Sequence, residues 1–390
     1  MIQSALISGF ILFMFLLIHS YILYPISIWI LSIIKRKNYQ TDNNFSPNIS
    51  IIISVFNEEK VIEKTIRSLL ESDYDLDKIE FVIGSDNSTD STNEIISKLQ
   101  KEIPSISFFP FPTRRGKSQV LNDLVKAASA EILIFSDANT IYRRDAIKNM
   151  VKYYVDKSIG GVSGRLLLIE FESSIFEGSQ EKKYWDMESW LKEKEGNLGM
   201  LIGANGGIYS LRKEFFVPIP TNYPVMDDFY ITLKVLEQGR SFIYTRSALA
   251  EEFTAPSIKS EFNRKVRNNS INLSTIKAVK NLLSPSFNLI SYALWSHKII
   301  RWITPILLLG VLVLNLLLIS SNPFLYWIFL FQLMFYLASL LGYFLKQLGI
   351  RITFLLLCFY FLVTNVAMLV GIYKFIFSKQ TAFWQSTVRQ

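Results

Sequence analysis

The sequence predicts an α/β fold: an open, mostly parallel sheet with helices on both faces, bracketed by transmembrane helices at both ends. Three observations carry this. Strand-like and helix-like segments alternate between Ser50 and Phe135, the pattern of a parallel sheet with covering helices. Neither Met1 to Ile34 nor Trp302 to Leu345 contains a charged residue. Half of the 390 residues are hydrophobic and 19% are charged, too apolar for an ordinary soluble enzyme and too polar for a bundle wholly in lipid.

Residues 1–37 read as one membrane helix. The apolar run is too long for the core of a signal peptide and lacks a basic start, so it is a retained span. Lys35-Arg36-Lys37 closes it and assigns the next segment to the cytoplasmic side. Residues 38–285 form the soluble domain. Its strands run Ser50 to Val55, Ile79 to Gly84, Ser105 to Phe111 and Ile132 to Phe135; its helices run Val61 to Leu70, Ser91 to Leu99 and Ser118 to Ala128. Glu181 to Glu195 is a further, charged amphipathic helix. Residues 286–301, aromatic and carrying His297, Lys298 and Arg301, read as interfacial. Residues 302–390 form a C-terminal membrane region of about three spans, the first two divided at Ser320-Ser321-Asn322-Pro323. By parity the tail would lie outside; Lys374, Lys379 and Arg389 favour the cytoplasm instead. Net charge is +8, which suits a phosphate-bearing substrate or anionic membrane lipids. No basic recognition helix is present, so nucleic acid is not an expected partner. The one cysteine, Cys358, excludes disulfides and cysteine-based zinc sites.

Each strand ends in polar residues, where an open α/β sheet holds its ligands. Asn57, Glu58 and Glu59 follow the first strand, where helix capping alone explains them and a ligand role for Glu58 needs outside support. Asp86 ends the second, able to accept hydrogen bonds from a base or ribose and equally able to form an Asx turn. Thr113 to Lys117 gathers three cations around Gly116, suited to a diphosphate or simply a solvated basic loop. Asp137 and Asn139 leave the fourth strand as an Asp-x-Asn triplet. It offers hard oxygen ligands for Mg²⁺ or Mn²⁺, and it is also a common turn. Gly203 to Gly207 lets backbone approach a ligand closely. Asp227 and Asp228 open a helix, either as charges complementing its dipole or, in a site, with one as general base. On a helix, Arg264 and Arg267 share a face able to clamp a diphosphate or lie on lipid headgroups.

In this order, over roughly Pro47 to Asn269, these stretches resemble the inverting family 2 glycosyltransferases, whose fold is GT-A and which include membrane polysaccharide synthases. The resemblance implies that Glu58 and Asp86 face the nucleotide, and that Lys117, Arg264 and Arg267 serve the donor diphosphate. It also implies that Asp137 and Asn139 stand at the metal-binding Asp-x-Asp position. Asn205, Gly206 and Asp227 fall on the acceptor side, and Asp228 matches the catalytic base. Two departures stand out. Asn139 replaces an aspartate, which weakens metal affinity or moves it onto Asp137 alone. Of the Gln-x-x-Arg-Trp motif of processive synthases, only Arg267 is present.

The expected protein is a multi-pass enzyme of a bacterial-type plasma membrane with a cytoplasmic catalytic domain. It transfers a hexosyl or N-acetylhexosaminyl group from a nucleotide sugar, a UDP-sugar by preference, to a lipid-linked or growing surface glycan, with a divalent metal as cofactor. One alternative is a processive polysaccharide synthase. Another, of a different class, is a non-catalytic membrane protein that keeps a GT-A domain as a binding module, for which Asn139 speaks.

Overall fold

The computed structural model describes residues 1–169, 175–253, 258–284, 288–320 and 322–378. The chain divides into two compact units, one built from Ile28–Pro256 and Ser274–Ile290, the other from Met1–Ser27, Ser257–Leu273 and Ser291–Lys379.

The first unit is organised on an eight-stranded sheet. Its strands are β1 (Ile49–Val55), β2 (Ile79–Asp86), β3 (Ile106–Phe111), β4 (Ile132–Ser136), β5 (Ile141–Tyr142), β6 (Ile159–Ile169), β7 (Tyr209–Arg212) and β8 (Ser241–Phe253). They lie in the order β3-β2-β1-β4-β7-β6-β8-β5. The run Ile49 to Val55 has only one residue that is not buried, as a strand covered by helices on both faces requires. Helices Ile62–Leu70, Thr92–Glu102 and Lys117–Ala127 make the crossovers between the first four strands. From Ile62, Ile66 and Leu69 comes an apolar stripe that packs into one core with Ile51, Ile53 and Ile83.

The β3-β2-β1-β4 half is parallel, as the alternation predicts, with Ile51 level with both Phe81 and Ile134. Beyond β4 the sheet is mixed. The short strand β7 runs antiparallel to both neighbours, whereas β6 and β8 are parallel to each other. This reversal positions the site. Parallel strands bring the residues after β1, β2 and β4 to one edge, and an antiparallel β7 brings the residues before it to that same edge. Phe135, near the end of β4, pairs with Tyr209, the first residue of β7. The glycine-rich stretch thus enters beside Asp137.

Pro323–Gln347 and Thr353–Phe377 of the second unit, and Ile2–Ile34, which begins in it, are each long and apolar enough to cross a membrane. A helix of 25 residues reaches about 38 Å, beyond the ~30 Å hydrocarbon core. Helices Leu289–Trp302 and Thr304–Leu318 are bent from each other by 65°, as in a broken span or a re-entrant loop. Pro305, in the first turn of the second helix, has no N–H to extend the helix before it. The 15 residues of Thr304–Leu318 reach only about 22 Å. Two long C-terminal helices and one bent pair therefore stand where the sequence reads three spans after an interfacial segment. His19 finds a partner inside the unit, 2.9 Å from Ser296 Oγ, while the Ser20 hydroxyl donates to the Ser296 carbonyl. The expected basic tail at Lys379 and Arg389, the opening residues of the interfacial segment, 286–287, and the last residue of the expected soluble domain, 285, lie outside the described residues.

Candidate active site

Asp86 is buried, and both its carboxylate oxygens accept backbone N–H groups: Oδ1 from Arg115 at 2.6 Å and Oδ2 from Gly116 at 2.9 Å. The acid at the end of β2 therefore holds the basic loop after β3 in place. Gly116 sits at φ 86°, ψ 149°, a region essentially reserved for glycine. From there the chain turns into the Lys117–Ala127 helix. The Arg114 guanidinium lies 3.7 Å over the Phe56 ring, and Arg115 covers Phe111 while pairing with Asp123. The loops after β1 and β2 are stitched together as well. Asn57 Oδ1 accepts from Thr89 N–H, Glu58 N–H donates to the Thr92 hydroxyl, and Glu59 accepts from Ser91 N–H. Glu58 itself is buried.

Lys117 is the hub. Its ammonium stands 2.9 Å from Asp137 Oδ1 and 3.1 Å from Asp227 Oδ2, joining residues far apart in sequence. Burial works against the charge, yet the two carboxylates prevail and hold the lysine well above its ordinary pKa. Asp227, expected on the acceptor side, thus turns to the lysine expected at the donor. Next to it, burial and then the Asp227 charge push the Asp228 carboxyl up to about 6, against the pull of Lys117 and Lys192.

The glycine stretch closes the site. Its Gly206 backs directly onto the carboxylates: a Cβ there would stand 3.2 Å from Asp228 Oδ2 and 3.6 Å from Asp137 Oδ2. Asn205, by contrast, is buried and its amide points inward. Nδ2 donates to the Gly164 carbonyl at 2.7 Å, and Oδ1 accepts from Lys192 Nζ at 2.6 Å. Lys192 is the residue the sequence reading passes over. It lies in a helix so rich in charge that solvent exposure is the natural reading, yet Glu188, Lys192 and Glu195 are all buried. Their spacing of four and three, which puts them on one helical face, is the signal that marks them.

Among the described residues no three His, Cys, Asp or Glu side chains gather as ready metal ligands. Of the two residues expected to hold a divalent cation, Asp137 offers an anionic oxygen, a hard ligand of the kind such a cation takes, and its side chain is 34% exposed. Asn139 is oriented differently. It is buried, its Nδ2 donates to Glu252 Oε1 at 2.8 Å, and its Oδ1 is shut from solvent without a hydrogen-bond partner. Arg264 and Arg267 lie on the Ile258–Thr275 helix, where Arg264 pairs with Glu261 at 2.6 Å. That part of the helix belongs to the other unit.

Residues 50–215 match the family described as Glycosyl transferase family 2. Poly-beta-1,6-N-acetyl-D-glucosamine synthase of Staphylococcus aureus (strain COL) is 27% identical over 224 residues, 56% of this chain and 53% of that one. Its namesake from Staphylococcus epidermidis is 28% identical over 185 residues, 47% of this chain and 42% of the other. The chain thus spans about half the length of these curated relatives. Among solved structures, a mannosyltransferase from Pyrobaculum calidifontis, in complex with GDP-Man and Mn²⁺, shares the fold. Its TM-score is 0.70 at 18% identity, covering 96% of this chain and 100% of that one. The parallel half of the sheet, its mixed continuation and the family match converge on one assignment: residues 50–215 belong to a glycosyltransferase family 2 domain, and its fold is GT-A.

Proposed function

We propose that this protein is a membrane-bound inverting glycosyltransferase. It moves a sugar from a nucleoside-diphosphate donor to a hydroxyl of a lipid-linked or growing glycan. The observation that carries the reading is the meeting of Lys117, Asp137, Asp227 and Asp228 under Gly206. One cleft then holds a cation for the leaving diphosphate and a carboxylate for the acceptor.

Lys117 neutralises charge that builds on the departing diphosphate, an electrostatic task suited to a fixed ammonium in a partly buried site. Donor binding exchanges some of its carboxylate contacts for phosphate oxygens. Asp137 would hold the divalent cation together with the diphosphate, and the cation when bound supplies further positive charge to the leaving group. Asp228 accepts the acceptor hydroxyl's proton as that oxygen attacks the anomeric carbon from the face opposite the diphosphate. A base with a pKa raised to about 6 is ionised near neutrality and still basic enough to take a proton in the transition state. Glu58 and Asp86 border the nucleotide end, Asp86 by holding the basic loop. A UDP-sugar is the proposed donor, and the polymer named for the staphylococcal relatives makes UDP-N-acetylglucosamine the first to test.

The test is a donor panel on purified protein in detergent, with nucleoside diphosphate release as readout and product length measured alongside. UDP-sugar turnover that depends on a hydroxyl acceptor is expected. Absence of turnover with every donor and acceptor would support the binding-module alternative. Products many sugars long would support a processive synthase.

A further inference from the structure

Three elements hold the glycine stretch. From the Asp227–Glu237 helix, Thr232 Oγ1 donates to the Asp228 carbonyl at 2.6 Å and accepts Ala204 N–H at 3.1 Å. From β6, Ser163 Oγ accepts Asn205 N–H at 3.0 Å. The third is the Ile175–Asn197 helix, which contributes two buried charged side chains one turn apart. Glu195 Oε2 accepts Ile202 N–H at 3.1 Å; the Lys192 ammonium stands 2.6 Å from Asn205 Oδ1 and 3.4 Å from the Ala204 carbonyl. A lysine only 6% exposed is costly to keep unless its donors are met. The loop offers two acceptors, and in return is held at Ala204 and Asn205, immediately before the glycine that faces both carboxylates.

We infer that Lys192 is a positioning residue: through Asn205 it sets where Gly206 backs onto Asp137 and Asp228, and so sets how the acceptor hydroxyl meets Asp228. This rests on the reading of Asp228 as the base. The lysine's charge also opposes the rise of the Asp228 carboxyl, consistent with an ammonium near that carboxylate.

A double-mutant cycle on the full-length protein tests it, using Lys192→Met, Asn205→Ala and the pair. Donor and acceptor KM and kcat are measured for each variant. Lys192→Met should lower kcat about 10- to 100-fold, the scale of a small misplacement of reacting groups, with donor KM changed less than about twofold. Asn205→Ala should do much the same, and the pair should be no worse than the poorer single variant, because one contact is removed twice. Should Lys192→Met fail to fold, Lys192→Gln enters the same cycle, keeping an N–H donor without the charge. Additive losses would overturn the inference, as would equal loss of donor affinity and turnover. Asp228→Asn, assayed in parallel, separates the two layers. If that variant transfers sugar normally, the base assignment fails; if it is inactive while Lys192→Met is fully active, only the inference about Lys192 fails.

Discussion

At the scale of single residues, the raised Asp228 carboxyl fixes a sign for the pH dependence. Burial and the Asp227 charge favour its protonated form, so the stability it contributes is greatest below the unfolded pKa near 4 and is lost as pH rises through about 6. Activity runs the opposite way. A base must be ionised, so kcat should climb with pH to a plateau above an apparent pKa near 6. Asp227→Asn removes the neighbouring negative charge and should move that limb to lower pH. A pH profile of each protein checks this, and an unmoved limb would mean that another group titrates. Asn139 gives a second prediction. Restoring an Asp-x-Asp by Asn139→Asp would set a carboxylate against Glu252 Oε1, which now accepts from the Asn139 amide at 2.8 Å. We expect that variant to lose stability and to bind Mn²⁺ no more tightly, and Glu252→Gln added to it to restore the melting temperature. Tighter Mn²⁺ binding by Asn139→Asp alone, measured by calorimetry, would show that the position faces the ion.

Among the elements, the first four strands were readable because each is a short β-branched and aromatic run followed by a polar end and then a helix. Their parallel pairing follows from the crossovers. β7 was not readable as a reversal: four residues, Tyr209 to Arg212, carry too little pattern to reveal a direction. Nothing local announces that the glycine stretch enters beside Asp137. The candidate site was legible where chemistry sits at strand ends or helix starts, as at Asp86, Asp137 and Asp228. It was illegible where a residue's role depends on burial, as at Lys192 and Asn139. The Gly116 turn links element to site, since its conformation launches the helix carrying Lys117. Gly116→Ala should cost about 1–3 kcal/mol, the price of a side chain in that backbone region, and should weaken donor binding as Lys117 is displaced. Thermal melts and donor titrations read the two effects; an unchanged melting temperature would remove the strain from the account.

For the whole molecule, the unresolved question from sequence was the side on which the chain ends. If the bent pair Leu289–Trp302 and Thr304–Leu318 enters and leaves on the cytoplasmic side, only two C-terminal helices cross. The end of Thr353–Phe377, with Lys374 in its last turn, then returns to the cytoplasm, in accord with the preference of basic residues for that side. We predict this arrangement, with the turn at Gly349 outside. Cysteines placed singly at Gly349 and Ser378 in a Cys358→Ser background should react with an impermeant reagent on intact cells at 349 and not at 378. The reverse pattern would make the bent pair a full span.

Asp228, grouped with Lys117 and Asp137 beside Gly206, is the proposed base on which sugar transfer turns. The most direct measurement is sugar transfer by Asp228→Asn beside its donor affinity. Loss of a positioned base costs about a hundred- to ten-thousand-fold in rate, while a group that acts only in the transition state leaves ground-state binding alone. We predict a loss of that size with donor affinity within a few-fold of the parent. Transfer at most of the parent rate, with Asp227→Asn inactive instead, would contradict the assignment.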